Sequence, residues 1–210
     1  MRVIKAAGNG RCLFISLRLA LECFTLIDLQ QRSQETPTYC INGHADCVIK
    51  SAETLCGMIC DWYQNGLMKV VAGFGSYISS GRSWVRRDIL AIEMVQRGRD
   101  VPEEGPDRDK AAYGYLKRMR QRGSWGSTPE YTAFAFMSKL RVEVYQPADS
   151  FSKETPDEFA AKGLTLINTV EPVDPKGTIR ILFNGSNHYD LLLSNEDTEK
   201  LATYLGHCGT

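Results

Sequence analysis

Apolar residues recur every three or four positions through the first two thirds of the chain and every second position through the last third. Phe14, Leu17, Leu21 and Phe24 share one face of a helix predicted over 12–31. Val48, Ala52, Leu55, Ile59 and Trp62 do the same over 44–65, and Gly66 ends that run. Helical stretches follow over 84–98 and 108–122, separated by a Pro/Glu/Gly segment at 102–106. Thr128 and Pro129 predict another helix start, with Thr as N-cap and Pro at the first helical position, and this helix is expected to reach about Leu140. From Arg141 the period shortens. Strands are predicted over 141–146, 164–170 and 178–183, and Asn184-Gly185 is a hairpin signal returning the chain as a strand over 188–193. A short strand over 2–7 precedes the first helix, the Gly/Ser-rich stretch 72–83 reads as a loop, and Asn195 caps a last helix to Leu205. No repeat or long linker divides the chain, so one α+β domain over 1–210 is the economical expectation.

Composition removes several function classes. The chain has 210 residues, 43% of them hydrophobic and 24% charged, with a net charge of zero. Those are globular values rather than disordered ones. No apolar run approaches the ~18 residues of a membrane span, and the first residues carry no signal-peptide core. Seven cysteines, an odd number, suit free thiols in a reducing compartment, so a cytoplasmic location is expected. The chain as a whole lacks the basic excess of a nucleic-acid binder. Its charge is uneven, however: residues 82–122 hold eleven Lys/Arg against seven Asp/Glu, and residues 143–199 hold four against eleven. An acidic surface that includes Glu171 and Asp174 is therefore expected, either as a solvated face or, should the substrate carry a basic segment, as a steering surface.

Candidate chemistry centres on Cys12. It follows Gly8-Asn9-Gly10-Arg11 and opens the first helix, where the positive end of the dipole favours a thiolate. Glycines in such a loop can leave backbone N–H groups free to face a developing oxyanion. A buried structural cysteine is the competing reading. A thiolate nucleophile needs a base, and the histidines are His44, His188 and His207. His188 opens a strand as His188-Tyr189-Asp190, and positions i and i+2 share a strand face, so Asp190 can stand beside His188 and orient its ring.

Three motifs then occur in order. Gly8-Asn9-Gly10-Arg11-Cys12-Leu13-Phe14 resembles the nucleophile motif of the ovarian tumour (OTU) family of cysteine proteases, usually Asp-Gly-x-Cys-Leu-Phe. Trp125-Gly126-Ser127-Thr128-Pro129-Glu130 resembles that family's Trp-Gly-x-x-x-Glu, and His188-Tyr189-Asp190 its histidine motif. The resemblance spans about residues 1–195. It implies a papain-like OTU fold, with helices flanking a small, mostly antiparallel sheet. It also implies a cysteine isopeptidase that cleaves ubiquitin or a ubiquitin-like protein from lysine. Cys12 would be the nucleophile, His188 the general base and then acid, and Asp190 the orienting group. The backbone around Asn9, Gly10 and Arg11 would form the oxyanion hole. No metal or organic cofactor is implied. One departure is that Asn9 stands where the family usually has Asp; an amide keeps the shape and the hydrogen-bonding oxygen but not the charge. A non-catalytic ubiquitin-binding module and another kind of thiol hydrolase stay open as alternatives.

Other features take plainer readings. Cys40, His44, Cys47, Cys56 and Cys60 lie within 21 residues but include no Cys-x-x-Cys pair, so they are read as thiols rather than a zinc site. The run 117–122 is read as a solvated helix face, and Trp125 as a core anchor.

Overall fold

A computed structural model of the protein describes residues 1–32, 51–71, 84–103, 105–147 and 155–207. In chain order the elements are β1 (Arg2–Ile4), α1 (Cys12–Arg32), α2 (Ala52–Gln64), α3 (Arg86–Gln96), α4 (Pro106–Met119), α5 (Thr128–Ser138), β2 (Arg141–Pro147), α6 (Asp157–Ala160), β3 (Leu164–Val170), β4 (Thr178–Phe183), β5 (Tyr189–Leu193) and α7 (Asn195–His207). The class is α+β, as the change of period predicts. α5 starts one residue early: Ser127 is its N-cap, in extended backbone, and Thr128 is already helical. Helix α6 was not predicted, because four residues are too few to show a period. The predicted loop 72–83 and the stretch 44–50 lie outside the described residues.

The five strands lie in the order β1-β5-β4-β2-β3. Every neighbouring pair is antiparallel except β2 with β4, which is parallel. Alternation sorts the sheet into two faces. Val142, Val144, Ile179, Ile181, Leu191 and Leu193 face the main core, where they meet Leu13, Phe14 and Leu17 of α1, Leu55 and Ile59 of α2, and Phe134 of α5. Tyr145, Leu164 and Leu192 form a smaller cluster on the other face with Phe159 of α6. β5 is buried along its whole length. It is sandwiched between these two sets, so the residues flanking it are tightly located.

The turn before α5 ties the helices together. Gly126 packs so closely on α1 that a Cβ there would lie 2.7 Å from Leu13 Cδ2. Trp125, expected in the core, is 50% exposed instead. The glycine makes the close approach, and the indole turns outward. Glu130 reaches back to the Ser127 N–H at 2.7 Å and accepts from the Tyr115 hydroxyl at 3.0 Å. The Ser127 hydroxyl donates to Glu93 at 2.6 Å, and Glu93 also accepts from Arg97 Nε at 2.6 Å.

Burial, with the nearby Glu93 charge, outweighs those two hydrogen bonds and pushes the Glu130 carboxyl up to about 8. The folded state therefore binds this proton more tightly than the unfolded chain does. Stability from this group is highest below its ordinary value of 4.5 and falls as pH rises towards about 8. The slope is at most about 1.4 kcal/mol per pH unit. Glu130→Gln keeps an oxygen for the Ser127 N–H and removes the proton. We expect urea unfolding over a pH series to show a flatter loss of stability towards alkaline pH in this variant than in the wild type. Identical slopes would show that Glu130 is not the group responsible.

Candidate active site

The loop between β1 and α1 is held by its own residues. The Asn9 N–H donates to the Ala7 carbonyl at 3.0 Å, and Asn9 Oδ1 accepts from the Arg11 N–H at 3.1 Å. This is a side-chain-closed turn of the kind Asn and Asp both make, and it needs an oxygen rather than a charge. Gly10 has a φ of +80°, and a Cβ there would lie 2.6 Å from the Gly123 carbonyl oxygen. Both the backbone conformation and the close approach therefore require glycine. Among the described residues, the N–H groups of Gly10 and Cys12 make no hydrogen bond, whereas those of Asn9 and Arg11 are engaged within the loop.

The Arg11 side chain points inward and is 3% exposed. Its guanidinium closes the C-terminal end of α4, donating to the carbonyls of Met119 at 3.0 Å, Arg120 at 3.4 Å and Gln121 at 2.9 Å. These carbonyls are at the negative end of the α4 dipole, which favours a cation. The same group donates to Cys56 Sγ at 3.1 Å and lies 5.3 Å from the centre of the Phe14 ring. A hydrogen bond from Cys60, joined by the Arg11 charge, outweighs burial and holds the Cys56 thiol below its usual range. Both thiols are buried in α2, while Cys40, His44 and Cys47 lie outside the described residues.

α1 is registered against β5 through its first two turns. Cys12 Sγ is 3.7 Å from the carbonyl of Asn187, and Ser16 Oγ donates to the Tyr189 carbonyl at 3.1 Å. Four helical residues rise about 6 Å and two strand residues about 6.6 Å. The i,i+4 pair on the helix therefore matches an i,i+2 pair on the strand, and Cys12 stands beside the residue preceding His188.

A single side chain shapes the hairpin carrying His188. Asn184 Oδ1 accepts from the N–H groups of Ser186, Asn187 and His188 at 2.9, 2.9 and 3.0 Å, and the Asn184 N–H donates to the His188 carbonyl at 3.0 Å. His188 Nε2 lies 2.9 Å from Asp190 Oδ1. The Asp190 side chain is 5% exposed, and it also accepts from the Ala6 N–H at 2.9 Å and from Lys5 Nζ at 2.8 Å. Burial pushes the Asp190 carboxyl up, but the hydrogen bonds from Lys5, Ala6 and His188 outweigh it and hold the group below its ordinary value. Asp190 is therefore a carboxylate, which only accepts. Nε2 must carry the ring proton, leaving Nδ1 as the basic nitrogen of the neutral imidazole.

Cys12, His188 and Asp190 are thus gathered where α1 meets the start of β5. Of the three residues expected around an oxyanion, Gly10 has an N–H with no partner among the described residues, and Cys12 adds another. His207 closes α7, and His44 is outside the described residues. Sequence reasoning missed Lys5, Ala6 and Asn184 as supports of the site. The register of β1 on β5, which pairs Ile4 with Leu191, puts Lys5 opposite Asp190, and only that pairing reveals it.

The two acids singled out for steering lie away from the Cys12–His188 end of the sheet. Glu171 and Asp174 are in the β3–β4 connection, beside Thr178, whereas His188 follows the Phe183 end of β4. A six-residue strand separates the two ends, about 17 Å. Several acids in the region are also paired: Glu143 with Arg141 and Arg180, Glu171 with Arg141, and Asp197 with Arg180.

No protein-family model matches the sequence, and no curated protein matches it. Among solved structures, the chain is similar to an OTU deubiquitinase from Wolbachia pipientis wMel, with a TM-score of 0.46 and 17% identity over 96% of this chain and 94% of that one. It is also similar to the viral OTU domain protease from Taggert virus, with a TM-score of 0.45 and 16% identity over 90% of this chain and 77% of that one. A third is the Hazara virus OTU bound to ubiquitin, with a TM-score of 0.40 and 12% identity over 92% and 82% of the two chains.

Proposed function

We propose that the protein is an OTU-type cysteine isopeptidase that removes ubiquitin or a ubiquitin-like modifier, acting as one catalytic domain over 1–210. The observation that carries this reading is the His188–Asp190 contact at 2.9 Å beside a cysteine that opens α1, with Cys12 Sγ 3.7 Å from the residue preceding His188. Residues 12 and 188 come together only through the fold, and the chemistry of a thiol hydrolase needs the nucleophile, base and orienting acid in that order. The three sequence motifs narrow the reaction from thiol hydrolysis in general to the OTU type.

In this mechanism His188 Nδ1 takes the Cys12 thiol proton, and the thiolate attacks the carbonyl carbon of the modifier's terminal glycine. The N–H groups of Gly10 and Cys12 donate to the oxyanion that forms. His188 then passes its proton to the departing lysine amine, leaving a thioester on Cys12. Water, deprotonated by His188, hydrolyses that thioester and frees the carboxylate. Asp190 stays ionised throughout and holds the ring. Asn9 suffices in place of Asp because its role is to accept from the Arg11 N–H.

A ubiquitin probe bearing a C-terminal electrophile tests the reading. It should label Cys12 in the wild type and nothing in Cys12→Ala. Labelling of another residue would reject the nucleophile. Binding without labelling would point to a non-catalytic module, and indifference to every ubiquitin-like probe to another thiol hydrolase.

A further inference from the structure

Asp190 serves two cations. Oδ1 receives His188 Nε2 and the Ala6 N–H, each at 2.9 Å, and Oδ2 receives Lys5 Nζ at 2.8 Å. The carboxylate is 5% exposed, whereas the Lys5 side chain is 77% exposed. A triad needs the first of these contacts. The others bring β1 to the site, and Lys5 adds a full positive charge across the carboxylate from the imidazole.

We propose that Lys5 is a positioning residue of the catalytic triad, which clamps the far oxygen of Asp190 and sets the pH range in which Cys12 is reactive. The geometry gives two effects. Asp190 is held from both ends, so its Oδ1 cannot swing away from His188. The ammonium also tempers the carboxylate's hold on a protonated ring, because its charge opposes the imidazolium through the same group. The remaining titratable groups around the pair are Cys12 on α1 and the Tyr189 phenol. The phenol in turn feels Tyr131 and Glu130 of α5, Glu93 of α3 and Cys12. Among the described residues, Lys5 is the cation whose charge acts on Asp190. Its exposure means the pair contributes little to stability, so a variant lacking the charge should fold.

Removing a nearby positive charge favours the protonated form of every group around it. The pH dependence of Cys12 reactivity should therefore move bodily to higher pH when Lys5 is neutralised. The inference rests on the triad reading proposed above, but its test needs no modifier. The readout is the rate at which neutral iodoacetamide alkylates Cys12 across a pH series, followed by mass spectrometry of the Cys12 peptide. In Lys5→Met the profile should shift upward by about 0.5–1 pH unit, the size expected of one partly screened charge several ångströms away. Lys5→Gln, which keeps a hydrogen-bond donor but no charge, should shift it likewise, and Lys5→Arg should restore the wild-type profile. Profiles that overlay in all four proteins would overturn the proposal. So would a uniformly slower rate without a shift, since that assigns Lys5 to packing alone. If the ubiquitin probe failed while the profile shifted, the choice of substrate would be wrong and the role of Lys5 would stand.

Discussion

Replacing His188 with alanine should abolish turnover, with a loss on the order of 10³–10⁴-fold, while leaving the fold intact. The magnitude is what a positioned general base contributes. The fold should survive because His188 is partly exposed, and the hairpin is held by Asn184 through backbone N–H groups that a substitution at 188 retains. Asp190→Ala should cost less activity, on the order of 10–100-fold, or about 1.4–2.7 kcal/mol of barrier. It should cost more stability, because it strands the buried Ala6 N–H. The two variants therefore separate in opposite directions. Steady-state turnover of a fluorogenic ubiquitin substrate, read beside thermal unfolding, checks both. Full activity in Asp190→Ala would remove it from the triad.

The second large effect is structural. Arg11→Met should destabilise the protein by about 2–4 kcal/mol, since a hydrogen bond from a charged donor contributes about 1.5–3 kcal/mol and a stranded buried carbonyl costs about 1–3 kcal/mol. Methionine fills a similar volume but gives nothing to the carbonyls of Met119, Arg120 and Gln121 or to Cys56. Among the described residues, Met119 would keep only the Cys56 thiol and Gln121 only the Ser124 N–H as donors. Urea unfolding should show a lower midpoint at an unchanged slope. Cys12 alkylation should also slow, because the loop that presents the nucleophile is fastened to α4 through this side chain. A midpoint within error of the wild type would mean that Arg11 is not the fastening.

Both cases show what a sequence makes legible. Cys12 and His188 could be singled out because they sit in local patterns: a glycine loop opening an apolar helix, and a hairpin signal followed by alternation that places 188 and 190 together. The strands 164–170 and 178–183 were readable for the same reason. What lay hidden is contact across the chain. Arg11 reads as a polar loop residue until α4 ends beside it. Lys5 reads as a strand charge until the β1–β5 register sets it opposite Asp190. The acidic surplus of 143–199 looks like a surface field in the sequence, yet Glu143, Glu171 and Asp197 are each paired with Arg141 or Arg180, and Glu171 and Asp174 lie at the end of β4 away from His188. The exposure of Trp125 followed from which residue of the Trp-Gly pair makes the close approach, something composition does not report.

β1 is three residues long and, among the described residues, pairs on one side only, with β5. It nonetheless delivers both Lys5 and Ala6 to Asp190. Short edge strands open by local fluctuation far more readily than the core does. The lifetime of the assembled triad is therefore tied to one of the smallest cooperative units in the molecule rather than to global stability, and catalytic competence should fade under conditions that leave α1 and the inner strands folded.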